Sequence, residues 1–123
     1  MNDPTLYVGL DTDKKHIDVA VAEPLPGGEV RYWGKIANEP AALGRLIGRL
    51  RKGGRRLQVC YEAGPCGFGI HRRLNAMADV ACTVVAPSMP PRRPGLRVKT
   101  NRRDCLTLAK LLRAEELTAA WVP

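Results

Sequence analysis

TLYVGLDTDKKHIDVAVAE, residues 5–23, consists of two short apolar runs joined by a polar turn. The first run, Thr5–Thr12, is rich in apolar and β-forming residues, and residues 13–15 supply the turn. The second run, His16–Glu23, alternates with the two-residue period of a strand: Ile17, Val19 and Val21 occupy one face. The stretch therefore predicts two antiparallel strands at the start of a sheet.

The next segment extends this sheet and then changes its period. After the turn residues 24–28, Glu29–Ala37 predicts a third strand, which completes an antiparallel meander. Asn38 is placed to cap a helix whose apolar residues recur at three- and four-residue spacing. Gly53 and Gly54 are expected to end that helix.

The rest of the chain alternates strands with helices. The predicted elements are a strand at Leu57–Tyr61, a helix at Gly67–Ala78, a strand at Val80–Ala86, a proline-rich loop at Pro87–Gly95 and a final helix at Asp104–Glu116. The order β-β-β-α-β-α-β-α predicts an α/β, RNase H-like fold with a mixed five-stranded sheet flanked by helices. We expect residues 1–123 to form a single domain.

The composition indicates a basic globular protein. Twenty Lys and Arg against twelve Asp and Glu leave a net charge of +8, which favours a polyanionic partner such as nucleic acid. The four cysteines lack zinc-site spacing, and Cys60 and Cys82 lie in apolar runs typical of buried free thiols. We see no signal peptide and no apolar run approaching about 20 residues, so we expect a cytoplasmic protein without a membrane partner.

Acidic residues stand at the ends of two predicted buried strands. Asp11 ends the first strand, and Glu62 directly follows the fourth. If these strands are adjacent and parallel, both carboxylates lie at the carboxyl edge of the sheet, where Asp104 at the start of the last helix can join them. Converging carboxylates repel one another unless a cation lies between them. They suit Mg²⁺ or Mn²⁺, and the pattern predicts a site for phosphoryl transfer.

These acidic residues also have simpler explanations. Asp11 could form a turn, and Asp104 could serve only to charge the first turn of a helix. Asp13 and Asp18 are expected to face solvent, with Asp13 as a reserve ligand.

The segment before the last helix, RRPGLRVKTNRR at residues 92–103, contains six basic residues and no acidic one. Because it leads directly into Asp104, we predict that its cations bind nucleic-acid phosphates beside the metal site. The predicted nucleic-acid-binding residues are Arg92, Arg93, Arg97, Lys99, Arg102 and Arg103. A second basic run, Arg49–Arg56, is also explained by the preference of cations for helix C-termini.

The chain resembles the N-terminal domain of insertion sequence 110 family transposases in YVGLDTDKKHIDVAVAE (7–23), in YEAGPCGFGIHRRL (61–74) and in residues 84–123. Its most specific motifs are YEAGP at 61–65 and KTNRRD at 99–104. The resemblance implies a RuvC-like fold with a DEDD metal motif. It also implies recombination of a mobile element, guided by an element-encoded RNA that bridges donor and target DNA. We expect a homo-oligomer in the full-length protein.

Carried onto this sequence, the DEDD motif falls on Asp11, Glu62, Asn101 and Asp104. Asn101 stands where the motif has aspartate; its amide oxygen can still bind Mg²⁺ but brings no charge, so a second ion should bind more weakly. The family continues into a C-terminal domain with a serine nucleophile, and Ser88 is the only serine in this chain. We therefore regard that domain as absent and expect the chain not to complete strand exchange alone.

Two other functions stay open on the sequence. A catalytically silent module of the same fold could bind nucleic acid or dimerise, and Asn101 favours that alternative. GLDTDK at residues 9–14 is also similar to the first phosphate loop of actin-like ATPases and sugar kinases, although those proteins close two such domains around ATP. Metal binding argues against the silent module, and ATP binding would indicate the kinase-like class.

Overall fold

The computed structural model contains five strands and three helices in its described part. The structure describes residues 5–24, 29–62, 69–85 and 101–114, with the backbone alone for 101–104. In chain order the elements are β1 (Leu6–Thr12), β2 (His16–Ala22), β3 (Val30–Ala37), α1 (Pro40–Leu50), β4 (Leu57–Glu62), α2 (Gly69–Asn75), β5 (Val80–Val85) and α3 (Asn101–Arg113).

The strands form one mixed sheet in the order β3-β2-β1-β4-β5. β2 is antiparallel to both β1 and β3, whereas β4 is parallel to both β1 and β5. A meander followed by two helical crossovers that extend the sheet on the other side of β1 is the RNase H-like topology. The α/β, RNase H-like fold predicted from the sequence is therefore confirmed.

Helices cover both faces of the sheet. One face packs against α1 and α2 in a core cluster that includes Leu10, Leu46 and Leu74. On the opposite face, Cys105 and Ala109 of α3 pack against small residues of β2. Because side chains alternate along a strand, each central strand contributes to both cores. The sheet is thus the middle layer of three.

α3 lies close to β1 because Gly9 has no side chain. A Cβ atom at Gly9 would collide with the backbone oxygen of Cys105, and it would lie 2.6 Å from the backbone nitrogen of Ala109 and 3.0 Å from Cβ of Leu108. Side-chain atoms do not tolerate such approaches to backbone without a shift of the helix. Glycine at this position therefore sets the distance between α3 and the centre of the sheet.

All three helices differ from the predicted boundaries; α3 begins at Asn101 rather than at Asp104 and ends at Arg113. α1 ends at Leu50, and Gly53 and Gly54 instead form a following turn with φ of 87° and 83°. α2 ends at Asn75, before the predicted Ala78. The Asn75 side chain donates to the backbone oxygen of Cys82 (3.1 Å) and accepts from its backbone N–H (2.9 Å), which ties the end of the helix to β5.

Asn38 does not cap α1, so that prediction is wrong. The N-cap residue is Glu39, which makes no side-chain capping hydrogen bond. Asn38 instead donates from Nδ2 to the backbone oxygen of Asp13 (2.7 Å) and from its backbone N–H to that of Lys15 (2.9 Å). The Asn38 side chain therefore bonds to the β1–β2 turn instead of to the first turn of α1, and this contact ties the end of β3 to that turn.

The three described cysteines are buried free thiols, as predicted for Cys60 and Cys82. Burial raises the pKa of each of these two thiols to about 12. Both are therefore protonated near neutral pH and are poorly suited to nucleophilic attack or metal binding.

Some predicted segments lie outside the described residues. These are the turn residues 25–28, the start of the predicted second helix, the loop Pro87–Gly95 with Ser88, and the chain after residue 114. None of the helices in the described part is long and apolar enough to cross a membrane.

Candidate metal centre

The register between β1 and β4 brings Asp11 and Glu62 to the same edge of the sheet. The parallel pairing runs from Leu6 opposite Leu57 to Leu10 opposite Tyr61, so Asp11 and Glu62 are the next residues of the two strands. β1 and β4 are adjacent and parallel, as the sequence predicted. Asp11 is partly buried and Glu62 is exposed. Two carboxylates thus stand side by side at the carboxyl edge.

Both carboxylates lie on the face that α3 covers. Leu10 belongs to the core cluster under α1 and α2, so its neighbour Asp11 extends from the opposite face. In β4, Cys60 packs against Leu108 of α3, and its thiol lies 3.6 Å from the Leu108 backbone oxygen. Glu62 follows Cys60 by two residues and therefore shares this face.

A third carboxylate, Asp18 of β2, lies beside Asp11. Asp18 is the cross-strand partner of Asp11, and directly opposed residues extend from the same face of a sheet. Asp18 is only 3% exposed, so the prediction that it faces solvent is wrong. The reason is that α3 buries this face as well. Ala20 and Ala22, small apolar residues at the same alternation, were the signal in the sequence that both faces of β2 are packed.

The two oxygens of Asp18 differ in their environments. Oδ1 accepts a hydrogen bond of 2.7 Å from the Tyr32 hydroxyl. Oδ2 is buried and has no hydrogen-bond partner among the described residues. A buried carboxylate oxygen without a partner is energetically unfavourable and suits a cation or a proton.

The first turn of α3 lies near the same edge. Asn101 and Asp104 are both within the helix, and residues three apart lie on one side of a helix. Cys105 is fully buried, and its pKa is raised to about 12 by burial and by the nearby carboxylates of Asp18 and Asp11. α3 packs on β1 and β2, and the N-terminus of a helix favours negative charge.

Asp13, the reserve candidate, has a role in the turn. Its Oδ1 accepts hydrogen bonds from the backbone N–H groups of Lys15 (2.8 Å) and His16 (2.7 Å). These two hydrogen bonds hold the pKa of the exposed Asp13 carboxyl below its usual value. Asp13 is thus the residue that stabilises the β1–β2 turn, the simpler role that the sequence also allowed for Asp11.

The remaining predicted site residues are only partly covered by the structure. Asn101, Arg102, Arg103 and Asp104 are described by backbone alone, and Arg92, Arg93, Arg97 and Lys99 lie outside the described residues. Among the described side chains, no group of three or more His, Cys, Asp or Glu residues has a geometry that could hold a metal. The side chain of Asp104 is not among those side chains.

The second basic run lies at the opposite edge of the sheet. The backbone N–H of Leu6, the first residue of β1, donates to the backbone oxygen of Arg56 (2.8 Å). Arg51 forms an ion pair of 3.2 Å with Asp79, and Arg55 forms one of 2.9 Å with Glu23. These contacts support the structural explanation of the run.

The fold and these residues define a class: an RNase H-like α/β domain with carboxylates at the ends of β1 and β4, beside the start of α3. The chain is similar to proteins named as transposases. It is 50% identical over 117 residues, 95% of its length, to y4qE of Sinorhizobium fredii. It is 30% identical over 109 residues, 89% of its length, to the transposase for insertion sequence element IS1533 of Leptospira borgpetersenii.

The chain spans 30% and 31% of the lengths of these two relatives. The predicted resemblance to transposases is confirmed at this level, while the assignment to the insertion sequence 110 family stays a prediction. No protein-family model matches the chain.

Two solved structures overlap with the fold. Thermus thermophilus RuvC, solved in complex with a Holliday junction substrate, has a TM-score of 0.49 and 15% identity over 94% of this chain and 99% of its own. The Pelota protein of Thermoplasma acidophilum has a TM-score of 0.40 and 15% identity over 78% of this chain and 31% of its own. At TM-scores this low, the fold assignment rests on the order and direction of the strands.

Proposed function

We propose that this chain is the metal-dependent catalytic domain of a transposase and takes part in phosphoryl transfer on DNA. The observation that carries the proposal is the position of Asp11 and Glu62 at the adjacent carboxyl ends of β1 and β4, on the face that α3 covers. Similarity to transposases over nearly the whole chain supports DNA as the substrate.

The donor set fits Mg²⁺ or Mn²⁺. Carboxylate oxygens are the hard ligands that these ions prefer, and adjacent carboxylates are stabilised by a cation between them. The proposed ligands are Asp11, Glu62 and Asp104, with the amide oxygen of Asn101 as a weak fourth. The buried Oδ2 of Asp18, which has no hydrogen-bond partner among the described residues, is the structural feature that most favours a cation at this edge.

A divalent cation bound here would supply charge stabilisation for phosphoryl transfer. The protein itself contributes by holding the proposed ligands in fixed positions. Asp11 and Glu62 lie at the ends of hydrogen-bonded strands, so their backbones are held rigidly. The close packing at Gly9 holds the first turn of α3, with Asn101 and Asp104, near the same edge. Binding energy from basic residues would hold the DNA backbone in register with these groups.

Mn²⁺ is expected to raise the melting temperature of the wild-type chain, and Asp11→Asn should abolish this increase. At an ion concentration about 100 times the Kd, binding adds about 2.7 kcal/mol to the free energy of unfolding. Thermal unfolding with and without Mn²⁺, together with calorimetric titration, measures the effect.

Asp13→Asn is the matched control, because it removes one carboxylate of the same turn region while asparagine can still form the turn. Its Mn²⁺ response should equal that of the wild type. Equal Mn²⁺ affinity in the wild type and in Asp11→Asn would refute the proposed metal site. Absent Mn²⁺ binding combined with retained DNA binding would favour the silent module, the alternative to which Asn101 points.

We also propose that the predicted basic residues bind the backbone of DNA or of an element-encoded guide RNA, and that the full-length protein acts as a homo-oligomer. The basic segment leads directly into α3, whose first turn lies at the carboxylate edge. The proposed contacts are Arg92, Arg93, Arg97, Lys99, Arg102 and Arg103.

The combined change Arg92→Ala and Arg93→Ala should weaken binding to duplex DNA and flatten its salt dependence. Each lost phosphate contact should reduce the slope of log K against log salt by about 0.9. Binding titrations over a series of salt concentrations measure this slope. The control is Arg45→Ala with Arg49→Ala, which removes the same charge from exposed positions of α1. Equal slopes in the two double variants would exclude a specific role for the segment.

A further inference from the structure

Asp18 is a buried acidic side chain whose charge is not balanced by the described part of the chain. It is 3% exposed, and no described Lys or Arg forms an ion pair with it. Its neighbour on β3 is Lys35, which is exposed. The Tyr32 hydroxyl binds Oδ1 and leaves Oδ2 without a partner among the described residues. Such burial is unfavourable for a charged group unless a cation is bound.

Asp18 lies beside Asp11 on the same face of the sheet. The two residues are cross-strand partners, so their Cβ atoms are about 4.5–5.5 Å apart and on the same face. Cys105 and Ala109 of α3 pack against Ala20 of β2 on this same face, so α3 covers both positions. Carboxylates at this separation can bind the same divalent ion.

We propose that Asp18 is a further ligand of the divalent ion at the Asp11 edge, binding through Oδ2, and that Tyr32 orients it through Oδ1. This inference rests on the proposed function and adds a residue to its site. Asp18 supplies a negative charge that Asn101 does not bring. The hydrogen bond from Tyr32 corresponds to the contacts that commonly orient metal ligands in proteins.

The alternative is that Asp18 serves only to anchor Tyr32. The two roles differ in their effect on Mn²⁺ binding, because asparagine can still accept from Tyr32 in the metal-free protein under either role. If Asp18 is a ligand, Asp18→Asn replaces a buried charge with a neutral group that can still accept from Tyr32, so the metal-free melting temperature should not fall. If Asp18 is only an anchor for Tyr32, the substitution should leave Mn²⁺ affinity unchanged.

The test is calorimetric titration of Mn²⁺ into the wild-type chain, Asp18→Asn and Asp11→Asn, with metal-free melting curves for each. Asp18→Asn should bind Mn²⁺ at least about tenfold more weakly, the lower end of the effect of altering the supporting residues of a metal site. Tyr32→Phe, which keeps the charge of Asp18 but removes its orienting hydrogen bond, should weaken Mn²⁺ binding less. This second variant decides the question if Asp18→Asn does not fold.

Tyr7→Phe is the matched control, because Tyr7 packs in the same cluster as Tyr32 on this face. It should leave Mn²⁺ affinity unchanged. Loss of binding in Asp11→Asn with wild-type affinity in both Asp18→Asn and Tyr32→Phe would overturn the role of Asp18 and leave the proposed function intact. Equal affinity in the wild type and Asp11→Asn, or no binding by the wild type, would overturn both.

Discussion

Gly9→Ala is expected to lower the free energy of unfolding by about 3 kcal/mol, the upper range for overpacking a core. The added Cβ would collide with the Cys105 backbone oxygen and lie 2.6 Å from the Ala109 nitrogen. Both neighbours are backbone atoms of α3, so no side-chain rotation relieves the clash and the helix must move. Because Asp104 lies in the first turn of α3, the same substitution should weaken Mn²⁺ binding. Urea denaturation and Mn²⁺ titration measure the two effects.

Gly48→Ala is the matched control for this prediction. Gly48 is exposed in α1, and a Cβ there would have no neighbour within 4 Å. Alanine is the better helix former, so the substitution should raise the free energy of unfolding by up to about 1 kcal/mol. Equal stability of Gly9→Ala and the wild type would show that α3 does not depend on close contact with β1.

Leu10→Ala is expected to cost about 3 kcal/mol of stability while leaving Mn²⁺ affinity at the wild-type value. Leu10 is 1% exposed and belongs to the core cluster under α1 and α2, so truncation leaves a cavity there. Its neighbour Asp11 extends from the opposite face, where the proposed ligands lie. Urea denaturation and Mn²⁺ titration at a temperature at which the variant remains folded separate the two properties.

Asp11→Asn should show the reverse pattern: lost Mn²⁺ affinity with little change in metal-free stability. Leu10→Val, with an expected cost of about 1 kcal/mol, provides a milder version if Leu10→Ala unfolds. Mn²⁺ affinity that falls in parallel with stability in the Leu10 variants would mean that the two faces of β1 are not independent.

Much of the architecture follows from local patterns in the sequence. Alternation in residues 5–23 and the three- and four-residue spacing in α1 predicted the element types, because burial of one face imposes a period on each element. Topology rules then placed β4 beside β1, and the register confirms that Asp11, the penultimate residue of β1, and Glu62, the last of β4, lie at the same edge of adjacent strands. The ends of α1 and α2 were less well predicted, since local turn residues compete with tertiary contacts such as that between Asn75 and Cys82.

Asp18 shows the limit of pattern analysis most clearly. Asp18 alternates with Ile17 and Val19 and therefore lies on the other face of β2. When only one face of a sheet is buried, an acidic residue at such a position faces solvent. Here α3 covers the second face as well, because Gly9 and the alanines of β2 leave space for the helix to pack closely on the sheet.

The sequence by itself determined the strands, the helices and the acidic ends of β1 and β4, because each depends on the periodicity or position of neighbouring residues. Only the tertiary structure decided that Asp18 is buried beside Asp11 and that Tyr32 donates a hydrogen bond to one oxygen of Asp18. The close packing of α3 on Gly9 was also decided there. These features arise where segments distant in the chain meet. Ala20 and Ala22 indicate that the second face of β2 is packed, but no local pattern identifies the helix that covers it.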